Sequence, residues 1–158
     1  MKSQSEQKVV SLEELLRQLA KWRAEGHSIA FTNGVFDILH RGHLHSLEQA
    51  ASFADRLIVG VNSDASARSL GKGPERPINK ERDRAGLIAG LEAVDAVVIF
   101  DEPTPWEVLR EIKPDVLAKG GDYKLEEIVG REFAGRVERL GLAEGLSTTK
   151  LVEAIRGG

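Results

Sequence analysis

Apolar positions recur at helical spacing first in Leu12, Leu15, Leu16, Leu19 and Trp22, a run that Gly26 stops. Ser11 followed by Glu14 supplies the capping-box pattern in front of it, which predicts an amphipathic opening helix. The pattern then changes. SIAFTN, RLIVGVNSD, AVVIF, DVLAKGG and the weaker RVERL are short apolar runs bounded by Gly, Asp, Asn or Pro, as expected of strands buried on both faces. Between and after them, HLHSLEQAASFA, NKERDRAGLIAGL, TPWEVLREI, KLEEIVGREFA and STTKLVEAIR read as helices.

Strand and helix therefore alternate almost throughout. That order predicts an α/β fold, a Rossmann-like doubly wound parallel sheet of about five strands with helices on both faces and right-handed crossovers. Ligands of such sheets bind beyond the carboxyl ends of the strands. Residues 1–158 read as a single domain, with 1–27 a helical extension packed on it. The long irregular stretch from about Ser66 to Pro77, with Gly71, Gly73 and Pro74, has the length of a functional loop. Trp22 and Trp106 fall at apolar helical positions and read as core or subunit packing.

The 158 residues are 41% apolar and carry a net charge of −3 with no basic block, which argues against a nucleic-acid partner and for a small molecule. There is no cysteine, so disulfides, thiolate nucleophiles and cysteine zinc sites are excluded. Neither a signal-peptide core nor an apolar run near the roughly 20 residues of a membrane span occurs, so the expectation is a cytoplasmic protein without membrane contact. No GxxxxGK[ST] is present, and GKG at Gly71–Gly73 neither follows a strand nor completes GxGxxG.

The first strand leads into Thr32, Asn33, Gly34, Phe36, Asp37, His40, Gly42 and His43, in the pattern T-N-G-x-F-D-x-x-H-x-G-H. With His40 at the start of a helix, His43 lies one turn on, where both imidazoles can face an anion at the helix N-terminus. Gly42 keeps the backbone bare for close approach. The pair alone also fits a surface pair at a helix start, or a zinc site that lacks a third ligand. His45 points elsewhere. Near the other end, Ser147, Thr148 and Thr149 open a helix with three hydroxyls, either a plain N-cap or a second phosphate contact.

HRGH after TNGVFD, taken with GLSTTKLVEAI from Gly145 to Ile155, resembles the HxGH and ISTT elements of the nucleotidyltransferase superfamily, the cytidylyltransferase-like enzymes. TNGxFDxLHxGH, RLIVxVNSDAS, RPxN, LEAVD, KPDxLxKGGDY and EGxSTT are shared with its heptose branch. That branch is the adenylyltransferase half of the heptose kinase/adenylyltransferase of lipopolysaccharide-core synthesis. Glycerol-phosphate cytidylyltransferases are similar too, but KGGDY (Lys119–Tyr123) separates the branches, and Leu142 and Ala143 stand where those enzymes carry Arg-Thr.

The resemblance implies AMP transfer from ATP to D-glycero-D-manno-heptose 1-phosphate by a stand-alone enzyme, a homodimer, with Mg²⁺ carried by ATP rather than by protein ligands. It implies His40, His43 and Arg84 as catalytic, with Arg84, by itself an ordinary helix-surface charge, reaching the phosphates and Arg82 left on the surface; Lys72 joins them if it swings over the substrates from its long loop, the other reading being a solvated loop lysine. Thr32, Asn33, Gly34, Phe36, Gly42, Lys119, Gly120, Asp122, Ser147, Thr148 and Thr149 are then nucleotide contacts. Asp37, Asn62 and Asp64 fall to the sugar phosphate, with a cap for the loop before His40 as the other reading of Asp37. The rival readings are a glycerol-phosphate cytidylyltransferase, an FAD synthetase, or a nucleotide-binding module without catalysis.

Overall fold

The computed structural model describes residues 1–141 and 147–157. Its elements run α1 (Gln4–Lys8), α2 (Leu12–Ala24), β1 (Ile29–Gly34), α3 (Arg41–Ala51), β2 (Arg56–Asn62), α4 (Asp64–Ser69) and α5 (Glu81–Ala89). β3 (Ala96–Phe100), α6 (Trp106–Ile112), β4 (Val116–Gly120), β5 (Arg136–Leu140) and α7 (Thr148–Gly157) complete the chain. The strands form one five-stranded sheet in the order β3-β2-β1-β4-β5, every pairing parallel. The sequence pattern thus located all five strands.

Two helical layers cover the sheet, and the pleat sorts the side chains between them. Phe31, Ile58, Val98 and Leu117 pack with Leu15, Leu19 and Trp22 of α2 and with Val108, Leu109 and Ile112 of α6. The alternate residues, among them Ala30, Val59, Val97 and Ala118, pack with Leu47 and Ala50 of α3 and Ala85, Ile88 and Ala89 of α5. Gly60 is required by this packing, since a Cβ there would stand 2.8 Å from the Phe31 ring.

At the amino ends of the strands the backbone donors are held by aspartates. Ser28 N–H donates to Asp55 at 2.8 Å, Ile29 N–H to Asp115 at 2.7 Å and Leu57 N–H to Asp95 at 2.8 Å. Asp55, Asp115 and Asp95 each precede the next strand in sequence, so one short turn both starts its own strand and caps a neighbour. Asp115→Ala is expected to cost about 1 to 2 kcal/mol by orphaning the Ile29 donor, read as a lower denaturant midpoint with an unchanged slope.

The free edge of β3 is partly covered by the N-terminal segment, where Val10 N–H donates to Val97 O at 2.9 Å. The opposite edge, β5, carries Arg136, Glu138 and Arg139, charges that discourage pairing with another sheet.

Two expectations need correction. KLEEIVGREFA is not a helix: it forms two short 3₁₀ turns, Leu125–Glu127 and Arg131–Phe133, broken by Gly130 at φ 83°. Leu109 explains the break, because a Cβ on residue 130 would lie 2.4 Å from it. Nor does the irregular stretch begin at Ser66, since α4 runs to Ser69 behind its Ser63 cap. Trp22 is buried in the core as expected. Trp106 is half-buried, its indole N–H on Glu132 at 2.9 Å and its ring edge-on to Phe133.

Candidate active site

From β1 the crossovers run one way to β2 and β3, while β4 and β5 lie on the other side. The carboxyl ends of β1 and β4 therefore flank the switch point, where an open α/β sheet leaves a crevice. A cavity of about 640 Å³ opens there, and the TNGxFD loop, the first turn of α3, Lys72 and the first turn of α7 all line it.

The first turn of α3 is built around its two histidines. His40 is the N-cap, with extended backbone, and its Nδ1 accepts the Gly42 N–H at 3.0 Å. His43 closes the box in return, its Nδ1 accepting the His40 N–H at 3.3 Å. The rings stack with centroids 3.9 Å apart and planes 24° from parallel. A nitrogen that accepts a backbone donor has no proton of its own, so each neutral ring carries its proton on Nε2. Both residues line the cavity, and each ring is a donor rather than an acceptor at Nε2. His40 Nε2 is buried and has no partner in the protein.

Phe36 braces the pair: its backbone is left-handed at φ 51°, unusual for an aromatic residue, and its ring meets His43 edge-on at 5.3 Å. Burial lowers the pKa of both histidines; for His43, with help from the neighbouring His40 and Lys72, it falls to about 4. Both are neutral donors near pH 7. The folded chain thus resists a proton that the unfolded chain accepts, and stability should fall as pH drops from about 6.5 to about 4. Denaturant midpoints across that window check it, the expected loss being smaller in His43→Ala.

The second helix end is α7. Ser147 caps it, Oγ accepting the Lys150 N–H at 3.0 Å, and the Thr148 hydroxyl donates to Ile38 O at 3.3 Å. That bond ties α7 to the loop leading into α3, so both helix N-termini converge on one space. Ser147, Thr148 and Thr149 all line it. Gly145, and Leu142 and Ala143 of the Arg-Thr position, lie outside the described residues.

Of the other residues assigned to nucleotide or sugar phosphate, Thr32, Asn33, Gly34, Gly42, Asn62, Lys119 and Gly120 line the cavity. Asp122 and His45 do not; both are exposed. Asp37 lines it, but its carboxylate is already occupied by Arg76 Nε at 2.6 Å and by the N–H groups of Ile78 and Asn79 at 2.8 and 3.0 Å. This favours anchoring over sugar contact, and what it anchors is the far end of the loop that carries Lys72.

Arg84 is the clearest correction. It is fully buried, does not line the cavity and cannot reach a phosphate there. Its guanidinium donates to Asn79 O, Val35 O, Asn62 O and Asp64 Oδ1, all at 2.7 to 2.9 Å. The expected substrate contact of Asp64 falls with it, since that carboxylate is the counter-ion of Arg84 and lies outside the cavity. Together they join the ends of β1 and β2 to the start of α5.

The sequence did not single out Arg76, Asn79, Thr104, Tyr123 or Glu127 for a role. Arg76 and Asn79 meet Asp37 across 39 and 42 residues, a pairing that no local pattern reveals. Tyr123 sits inside KGGDY, which was its one visible signal. Among the described residues no three His, Asp or Glu are grouped to hold a metal ion, and no helix is long and apolar enough to cross a membrane. The cavity's helix-end donors suit an anion better than a bare cation.

The profile of the cytidylyltransferase-like family matches residues 31–154. The bifunctional protein HldE of Pseudomonas fluorescens (strain Pf0-1) is 53% identical over 156 residues, covering 96% of this chain and 33% of that protein. The protein of the same name from Wolinella succinogenes is 49% identical over 154 residues, covering 98% and 32%. The chain thus spans about a third of the length of these relatives. Among solved structures, the lipopolysaccharide core biosynthesis protein of Thermoplasma volcanium superposes with a TM-score of 0.66 at 32% identity, covering 75% of this chain and 100% of that one. A pantoate-beta-alanine ligase from Francisella tularensis shares the fold at a TM-score of 0.56 and 16% identity, over 94% of this chain and 76% of its own. On the match over residues 31–154, the chain belongs to the cytidylyltransferase-like family of nucleotidyltransferases.

Proposed function

We propose that this chain transfers AMP from ATP to D-glycero-D-manno-heptose 1-phosphate, giving ADP-heptose for the lipopolysaccharide core and releasing pyrophosphate. The observation that carries the reading is that His40 and His43, fixed by their reciprocal box, line one cavity with Ser147, Thr148 and Thr149 of the α7 first turn. The heptose branch of the family is supported by KGGDY, RPxN and EGxSTT, and by the identity with the HldE proteins.

An oxygen of the sugar phosphate attacks the α-phosphorus of ATP, a new P–O bond forms, and the bond to the bridging α–β oxygen breaks. The nucleophile is already an anion near pH 7, so no general base is required. What the protein supplies is position and charge stabilisation. His40 and His43 donate to the α-phosphate and to the charge that grows on the leaving oxygen. The Ser147 and Thr149 hydroxyls and the Thr148 backbone N–H hold the β- and γ-phosphates while the Thr148 hydroxyl stays on Ile38 O, Thr32, Gly34, Phe36 and Gly42 shape the approach, and Lys72 closes over from its loop. Mg²⁺ carried in with ATP would supply further neutralisation of the triphosphate charge, with no protein ligand assigned to it.

Labelled ATP tests the bond assignment. Label on the α-phosphorus should appear in the sugar nucleotide and label on the γ-phosphorus in pyrophosphate; α-label in neither product would refute the transfer. Lys72→Ala is expected to lower kcat/KM by about 10- to 100-fold, the worth of one charge-assisted contact, measured under saturating Mg²⁺.

A further inference from the structure

Lys72 lies at the tip of the loop between α4 and α5, and the tip has little of its own to hold it. Residues 70–75 are exposed, and Gly71 and Gly73, with φ of 72° and 112°, flank Lys72. A Cβ on residue 71 would meet nothing within 4 Å, and one on residue 73 only the Glu75 carboxylate at 3.9 Å. Yet Lys72 lines the cavity, and its charge helps to lower the pKa of His43. Where Lys72 stands is therefore decided at the two roots of the loop.

The first root is α4, which the Ser66 hydroxyl pins to Glu102 O at 2.6 Å. The second is Asp37. Its carboxylate is buried and accepts from Arg76 Nε and from the N–H groups of Ile78 and Asn79, all on the segment just beyond the tip. Asn79 returns a bond from its side-chain amide to Asp37 O at 2.6 Å. The Arg76 side chain is only 11% exposed, so freeing either charge would leave the other buried and unpaired. Asp37 precedes His40 on the same short loop, so the segment that leads into the histidine box also holds the root of the Lys72 loop. Glu75 adds a tie on the other side, to Arg156 of α7.

We propose that Asp37 and Arg76 are positioning residues for Lys72: their buried ion pair fixes the root of the loop so that the ammonium is held at the cavity lined by the first turns of α3 and α7. The inference rests on the part given to Lys72 in the proposed transfer. A fixed root restricts the tip before substrate arrives, so less freedom is lost when the cation closes on a phosphate. Neither Asp37 nor Arg76 has to touch a substrate for this.

Arg76→Ala should lower kcat/KM for AMP transfer at least fivefold in the wild-type background and less than twofold when added to Lys72→Ala, because a residue acting only through Lys72 then has nothing left to position. Asp37→Asn, close in shape and still able to accept from Ile78 and Asn79, should follow the same pattern, and it decides the matter if Arg76→Ala does not fold. A merely structural pair would lower both backgrounds equally; that result, or no loss in the wild-type background, overturns the assignment. A second readout needs no substrate. The chain has no cysteine, so Lys72→Cys takes a single nitroxide label. Adding Arg76→Ala or Asp37→Asn should at least halve the label's rotational correlation time, and an unchanged spectrum overturns the clamp. A wild type inactive on heptose 1-phosphate would sink that substrate alone; the label would still decide the clamp, faster motion upholding it and an unchanged spectrum overturning it.

Discussion

His43→Ala should lower turnover at least a hundredfold while leaving the circular dichroism spectrum intact. Losing one preorganised donor to a developing oxyanion typically costs about 3 to 4 kcal/mol of barrier. His43 also positions its neighbour: its Nδ1 holds the His40 N–H, and its ring stacks on His40 at 3.9 Å, so the substitution loosens both donors. The structural cost is smaller, about 1 kcal/mol for one helix-cap bond. Because the donor acts on charge that appears in the transition state, kcat should carry most of the loss, with KM for ATP changing little. Near-normal turnover would remove the histidines from the chemistry.

Arg84→Ala should be the most destabilising single change at the site, at about 3 to 5 kcal/mol. That range is typical when one partner of a buried ion pair is removed. The substitution leaves three backbone carbonyls and the Asp64 carboxylate without their donor at the junction of β1, β2 and α5. For a chain of this length each kcal/mol shifts Tm by roughly 2 to 4 °C, so a fall of about 6 to 20 °C is expected in thermal unfolding. Arg84→Lys should recover only part of it, since a single ammonium cannot serve four acceptors arranged around a planar fork. A Tm within a degree or two of the wild type would show that the network is dispensable.

The contrast between these two residues shows what a sequence can disclose. His40 and His43 were legible because their chemistry is local: three residues apart at a helix start, they determine one another's geometry. The strands were legible for a similar reason, since runs such as LIVGV and AVVIF are apolar on both faces whatever they pair with. Arg84 was misjudged because its role depends on Val35, Asn62 and Asp64, which only folding brings to it. A charged residue on a predicted helix reads as surface or ligand-facing, and nothing in its neighbours announces complete burial. Asp37 and Arg76 are a second case of pairing at long range. The 3₁₀ turns at 125–133 failed for a packing reason, the close approach of Leu109 to Gly130.

The most direct measurement of the central claim is pyrophosphate release by the purified chain. ATP with D-glycero-D-manno-heptose 1-phosphate should be compared with CTP and glycerol 3-phosphate under the same Mg²⁺ concentration. The account predicts rapid release from the first pair and little from the second. Release from CTP and glycerol 3-phosphate, with none from ATP and the heptose phosphate, would contradict it.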